Sequence, residues 1–505
     1  MDKNIYEVLH NQTYGRYVTA KRCIKQGELI WNEKPLIVGS QIGGGIICFK
    51  CCVFISKTQC LICDKCRTAF ICDLHCSGEF HNTKECEELS KLALDSDFLK
   101  YNNNLITPLR LLLLRNYSQN IWQEIMKLEA HVESRRGTPI WDTNKILVED
   151  VLKDTGLLLD EDITNETIQK ICGLLDVNTF EIRPPQNRCQ EISKSESQCL
   201  RGLYLKTALM SHACVSNTHL TVDDNFLLRV HASTDIKEGH PIVFNYANVL
   251  DGTQVRKKHL KYGKHFECNC KRCLDPSELN TNISSLKCHK CKTGIILPEV
   301  FNSTNNNWCC KSCGKVFKNC LIETVLRQVD NLIEDTDQTN LFKLEELYGK
   351  LLKTLHPHHY LILALQQKLV GLYTQSIQNK KNLSRKNELC QNLIKVYEIL
   401  EPGISRNQGV IQYELHSTIA NLAYKEYSLG EITLETLLQQ LFLAEATLKA
   451  ALKHLIYEPK KSPEGRIVQE ALGYLKDLRQ SISDIKEQIT SRTLCTKTKK
   501  KRNHK

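Results

Sequence analysis

The sequence predicts a multidomain α+β chain with zinc modules and an all-α C-terminal domain. Three observations carry this: cysteines clustered at metal-ligand spacing, short β-rich segments on either side of the first cluster, and amphipathic periodicity over the last third. At 505 residues the chain is too long for one ordinary core and suggests two to four domains. Hydrophobic content of 41% and charged content of 25% are ordinary globular values. No run of about eighteen apolar residues is present, so no membrane span is expected. The N-terminal MDKNIYEVLHNQ lacks the apolar core of a signal peptide.

Cysteine is the compositional outlier, at 25 residues. Disulfide-stapled secreted domains are usually small and carry a signal peptide. Repeated C-x2-C pairs with an intervening histidine point instead to zinc in a reducing compartment, cytoplasmic or nuclear. The net charge of +11 owes much to the tail KTKKKRNHK at 497–505. That tail reads as a solvated, disordered end over 491–505, so direct nucleic-acid binding is not expected as a primary function.

Along the chain, residues 1–47 read as short strands, with Gly15, Gly27 and Gly39 as punctuation. Residues 48–86 form the first cysteine cluster, and 87–175 show helical periodicity. Strand character returns with VNTFEI at 177–182 and lasts to about Tyr246, within a segment bounded at 176–264. A second cysteine group lies in 265–275, and DPSELNTNISS at 275–285 reads as a polar linker. A third cluster falls in 286–316. Residues 320–490 are almost wholly helical, in paired lengths that suggest a tetratricopeptide-like stack or a plain bundle.

The first cluster offers eight ligands, enough for two tetrahedral sites: Cys48, Cys51, Cys63, Cys66, Cys72, Cys76, His81 and Cys86. Cys52 for Cys51, Cys60 for Cys63, and His75 are open alternatives. In the third cluster, Cys288, Cys291, Cys310 and Cys313 have the spacing of a zinc ribbon, with Cys309 an alternative to Cys310.

The order of ligands from Cys63 to Cys86 resembles the MYND zinc finger. YGRYVTAKRCIKQGELIWNEKPL, 14–36, resembles the opening of a SET domain. ALMSHACVSNTHL at 208–220 is similar to that family's N-H-S-C-x-P-N segment. HPIVFNY at 240–246 and HFECNCKRC at 265–273 resemble its tyrosine strand and its post-SET cysteines. A finger inserted after the first SET segment is the layout of the SET-and-MYND (SMYD) family, and the added ribbon resembles its arthropod SMYD-A branch.

The resemblance implies a β-rich SET core split by the finger, with a threaded C-terminal segment, followed by the post-SET site, the ribbon and the helical domain. It assigns Cys48, Cys51, Cys72 and Cys76 to one zinc and Cys63, Cys66, His81 and Cys86 to another. Cys214, Cys268, Cys270 and Cys273 would hold a third; with the ribbon, about four ions are expected. It further implies S-adenosylmethionine as cofactor, held around Gly15, Arg16, Asn178, Ser211, His212, Tyr246 and Phe266, with Tyr246 catalytic. The activity implied is protein-lysine N-methylation of histone and/or non-histone substrates by a monomer, the finger offering a seat for proline-rich peptides.

Three positions depart from the family pattern: Ser211 for asparagine, Ser216 for proline, and Lys264 for an aromatic that Tyr262 could replace. An alternative with the same parts is a catalytically weak SET-MYND adaptor that recruits protein partners.

Overall fold

A computed structural model describes residues 5–11, 15–56, 60–92, 94–154, 163–185, 199–299 and 307–502. Tyr14 and residues 503–505, which enter the expectations above, lie outside this set.

The strand core is assembled from distant pieces of chain. Tyr6–Asn11 and Gly15–Ala20 form an antiparallel hairpin. Leu29–Glu33 pairs with Leu228–Ala232, which pairs with Thr218–Val222. Ile37–Ser40 pairs with Leu200–Leu203, and that strand with Thr179–Ile182. The Leu228–Ala232 strand alternates as a half-buried strand should: Leu228, Val230 and Ala232 are fully buried, whereas Arg229 and His231 are not. A short parallel pair, Ser211–His212 against Val243–Phe244, brings the two segments that matter most below side by side.

Between Ser40 and Thr179 the chain leaves this core. The helix Ile106–Tyr117 is buried along most of its length and packs against Ile37–Ser40. The approach is so close that a Cβ on Gly39 would stand 2.0 Å from Thr107 Oγ1. The helix Asn165–Asn178, capped by the Thr164 side chain, leads back into the sheet. It absorbs Val177 and Asn178, so the strand begins at Thr179 rather than 177.

The third cysteine cluster is a four-stranded antiparallel sheet: Leu286–Lys287, Ile295–Pro298, Trp308–Cys310 and Val316–Phe317. Its Trp308, Ile296 and Phe317 share a core with the helices that follow.

Seven helices come after it: Asn319–Glu334, Leu341–Leu351, Tyr360–Gln375, Lys380–Leu400, Arg406–Ser428, Leu434–Leu455 and Pro463–Arg502. Asn340, Asn379, Ser405 and Thr433 cap four of them through their side chains. The last runs to Arg502, past the boundary at 490 and into the tail expected to be disordered. Once a helix is nucleated, adding Lys, Arg and Thr costs little per residue. No helix of the described residues is long and apolar enough to cross a membrane.

The segment 275–285 is not a solvated linker. Glu278, Thr281, Ile283 and Ser285 are buried, and Glu278, Leu279, Asn280 and Asn282 take positive φ angles. Glu278 lies between the guanidinium groups of Arg256 and Arg272, at 2.8 and 3.2 Å. A charged residue in an aperiodic polar run reads as solvent-facing; two buried cations from neighbouring helices draw this one inside.

The helical stack is fastened to the strand core by polar contacts. Glu458 accepts from His219 and Arg406, both at 2.9 Å, and Arg406 also reaches the Leu220 carbonyl at 3.2 Å. Arg183 grips Glu464 with two nitrogens, at 2.7 and 2.8 Å. Burial alone would raise the Glu458 pKa, but His219 and Arg406 outweigh it and hold it below the ordinary 4.5. A depressed carboxylate contributes stability that is present above its unfolded pKa and lost as pH falls through the folded one. Between about pH 7 and about pH 3, the melting temperature should therefore fall more steeply for wild type than for Glu458→Gln. Parallel curves would show that the clasp contributes nothing.

Candidate active site and metal centres

Among the described residues, four groups of ligand atoms come together, each with all atoms within 4.8 Å of one another. They are Cys48, Cys51, Cys72 and Cys76; Cys63, Cys66, His81 and Cys86; Cys214, Cys268, Cys270 and Cys273; and Cys288, Cys291, Cys310 and Cys313. Four soft or imidazole donors at this separation suit a tetrahedral zinc ion. The geometry also decides among the alternatives. Cys52 is buried on a left-handed turn residue outside the group, His75 is exposed, and Cys60 and Cys309 belong to no group.

Behind the second group lies a buried network with no signature in the spacing of the cysteines. His81 Nδ1 lies 2.8 Å from Glu85, leaving Nε2 to face Cys66. Glu85 also accepts from Arg110 Nε at 2.5 Å, and the same guanidinium donates to the carbonyls of Val38, Phe49 and Phe80. A carboxylate behind a ligating histidine fixes its tautomer and raises its basicity. Glu85→Gln should thus weaken zinc retention about 10- to 100-fold, read by competition with a chromophoric chelator. Unchanged retention would make Glu85 only a partner for Arg110.

The third group joins two distant segments. Cys214 follows the strand Ser211–His212, and Cys268, Cys270 and Cys273 follow the helix Thr253–Lys264. Arg256 Nε points at Cys214 Sγ from 3.3 Å, so a cation backs the sulfurs.

Next to this group is Tyr246. Its amide N–H donates to His212 Nδ1 at 3.0 Å, and His212 Nε2 faces Cys214 Sγ at 3.3 Å. An Nδ1 that accepts leaves the proton on Nε2, directed at the sulfur. Burial lowers the His212 pKa to about 4, so the ring is neutral at pH 7. The Tyr246 hydroxyl donates to the Met210 carbonyl, and its burial pushes its pKa well above the usual phenol value. The Phe266 ring lies 5.7 Å from His212 and 6.4 Å from Tyr246.

The other expected cofactor residues join this centre through the loop 127–131. Arg16 donates to the Lys127 carbonyl at 2.5 Å, and Asn178 donates to the Glu129 carbonyl at 2.7 Å. The His131 ring lies 5.2 Å from that of His265. The Asn178 amide group is thus committed to backbone, since it also donates to Leu174 O at 3.0 Å. Gly15, next to Arg16, has a φ of +63° and open space where a Cβ would stand.

Lys264 occupies the position where the sequence resemblance expects an aromatic. Its amine donates to the Val177 carbonyl at 2.6 Å, beside Asn178, and lies 5.7 Å over the Tyr246 ring. Burial lowers its pKa to about 8, against the opposing pull of Asp176. Tyr262 cannot stand in for the missing aromatic: it is 72% exposed.

Ser211 Oγ is buried with no hydrogen-bond partner, and so is His265 Nε2. Orphaned polar atoms in a native interior call for a partner. Polar groups of a ligand would satisfy Ser211 Oγ and His265 Nε2, and the Phe266 ring beside His212 would offer a face to an aromatic base. On the other side, Phe180, Phe244 and Tyr246 form a line of rings at 6.1 and 6.3 Å spacing. Phe180 and Phe244 also line a cavity of about 410 Å³ between strand core and helical stack, walled opposite by Glu401, Arg406 and Glu458. The apolar residues of TFEI and IVF mark short strands that carry these two rings, but only the folded chain lines them up with Tyr246.

Residues 15–247 match the family described as "SET domain". The chain is 28% identical over 313 residues to the SET domain-containing protein SmydA-8, isoform A, of Drosophila melanogaster, covering 60% of this chain and 63% of that protein. It is 22% identical to the human histone-lysine N-methyltransferase SMYD3, over 51% of this chain and 60% of that one. It is 23% identical to the Xenopus laevis N-lysine methyltransferase SMYD2-B, over 52% and 60%. The chain therefore spans less than two thirds of the length of these relatives. A crystal structure of the SET domain of LSMT bound to lysine and AdoHcy aligns over 95% of this chain and 89% of that one, at 11% identity and a TM-score of 0.28. A likeness of that size carries no argument.

Proposed function

Because the chain is a SET-domain protein of the SMYD family with a SmydA-like relationship, we propose that it is an S-adenosylmethionine-dependent protein-lysine N-methyltransferase. The observation that carries this reading is the half-buried Tyr246 hydroxyl, at the end of a line of rings that reaches a cavity and just past the strand pair that holds the orphaned Ser211 Oγ. Gly15, Arg16, Asn178, Ser211, His212, Tyr246 and Phe266 would hold the cofactor, Asn178 through its free side-chain oxygen or its backbone. When bound, that cofactor supplies an electrophilic methyl group.

The rest is done by the chain. The Tyr246 proton is committed to Met210, so its oxygen faces an incoming amine as an acceptor. Accepting an N–H turns the amine's lone pair in a fixed direction, and pre-orientation of this kind supplies much of the rate of a displacement. Phe180 and Phe244 keep water from the amine and strip its hydration, which favours the neutral nucleophile. The cavity beyond them suits the backbone flanking a target lysine.

The four ligand groups would each hold a zinc ion, the first two forming a MYND finger that offers a seat for proline-rich peptides. Reduced thiols in this number suit the cytoplasm or nucleus. Titration calorimetry of the full-length protein with S-adenosylmethionine tests the reading, followed by a tritiated-methyl assay on histones and a cell extract. Absence of binding, in protein carrying about four zinc ions per chain by elemental analysis, would leave the adaptor function instead.

A further inference from the structure

Lys264 puts a primary amine where it meets three parts of the candidate site at once. It hydrogen-bonds to the Val177 carbonyl beside Asn178, faces Asp176 O at 3.4 Å, and lies over the Tyr246 ring. Among the described residues no carboxylate pairs with it. The nearest acid on its partner helix, Asp176, spends its oxygens on Arg135 at 2.6 Å, Arg201 at 3.3 Å and Asn144 at 3.3 Å. The other titratable groups facing this corner are His131, His265, His212 and Tyr246, with the largely exposed Glu129 carboxylate 3.6 Å behind His131. Lys264 is therefore a half-buried cation whose only nearby carboxylate on that helix, Asp176, is shared with two arginines.

Building on the methyltransferase reading, we propose that Lys264 makes the pocket discriminate by charge between the sulfonium form of the methyl donor and its neutral thioether product, favouring the product. The two molecules share every group except the methyl and the positive charge at sulfur. Contacts to their base, sugar and amino-acid parts are common and cancel in a comparison. A fixed cation opposes only the sulfonium. At an effective dielectric of about 20, like charges roughly 10 Å apart shift an equilibrium about tenfold. A tyrosine at this position would lack the repulsion, so the lysine gives the pocket product retention that a phenol cannot. The lowered pKa of Lys264 adds a direction: the amine is charged below about 8 and neutral above it, so the discrimination is present at lower pH and fades as pH rises.

Calorimetry with S-adenosylmethionine and S-adenosylhomocysteine tests this without any turnover measurement. Full-length wild type, Lys264→Met, Lys264→Tyr and Lys264→Arg are compared, with zinc content confirming that each is folded. The expected result is an affinity ratio, thioether over sulfonium, about tenfold lower in Lys264→Met and Lys264→Tyr than in wild type, chiefly through tighter sulfonium binding. Lys264→Arg, which keeps the charge, should keep the high ratio. Raising the pH from about 7 to about 9 should lower the ratio in wild type but not in Lys264→Met or Lys264→Arg. Equal weakening of both ligands in Lys264→Met would overturn the proposal, since the lysine would then recognise the carboxylate they share. An unchanged ratio would overturn it too. If neither ligand binds wild type or any variant, the cofactor reading itself fails, an outcome distinct from both.

Discussion

Tyr246→Phe is expected to lower methyl transfer about a hundredfold or more, with affinity for S-adenosylmethionine changed by less than about twofold. The split follows from where the hydroxyl sits. Its proton goes to Met210 O and its ring touches His212 and Phe266, so phenylalanine keeps the packing and the cofactor-side wall. What disappears is the oxygen that would accept from the target amine. One lost neutral hydrogen bond to a backbone carbonyl costs about 1 kcal/mol of stability, too little to unfold the domain. Each factor of ten in turnover corresponds to about 1.4 kcal/mol of transition-state stabilisation. The raised pKa of the phenol gives a second expectation. The hydroxyl stays protonated through the neutral and mildly alkaline range, so ionisation of Tyr246 should not limit the rate there. Single-turnover rates on any accepted substrate, beside calorimetry for the cofactor, provide the check. A variant with wild-type turnover would reduce Tyr246 to a packing residue.

The largest loss of stability is expected from Glu278→Ala, about 3–5 kcal/mol. The carboxylate is fully buried and accepts from Arg256, Arg272, the Thr253 amide and Ser284 Oγ. Removing it leaves two guanidinium groups inside with no carboxylate between them, and a buried unpaired charge is far costlier than a missing contact. The damage should spread to the third cysteine group, because Arg256 also faces Cys214 and Cys273. Zinc release from that group should therefore accompany unfolding at lower denaturant. Burial alone would raise the Glu278 pKa, yet Arg256 and Arg272 outweigh it and depress the folded value. Its contribution is accordingly present above the unfolded glutamate pKa and lost as pH falls through the folded one. Denaturant unfolding of wild type, Glu278→Gln and Glu278→Ala measures the effect. If Glu278→Ala lies within about 1 kcal/mol of wild type, the ion-pair cluster does not hold this segment.

The C-x2-C pairs were legible in the sequence because each is a local device, one turn presenting both sulfurs whatever the rest of the chain does, whereas the interleaved sets and the part of Cys214 came from the family resemblance. The strands around Val230 and the long helices after Cys320 were legible for a similar reason, since burial on one face leaves a period in the residues themselves. Even so, the choice of Cys51 over Cys52 and Cys310 over Cys309 needed the fold, because neighbouring residues in a turn or strand point to opposite sides. Tertiary structure also decided that Glu278 is buried, that Lys264 lies over the Tyr246 ring while Tyr262 faces solvent, and that Phe180 and Phe244 stand in line with Tyr246. None of these leaves a local pattern. A charge goes inside only if partners elsewhere in the chain meet it there: Arg256 and Arg272 for Glu278, the carbonyl ending a helix 87 residues earlier for Lys264.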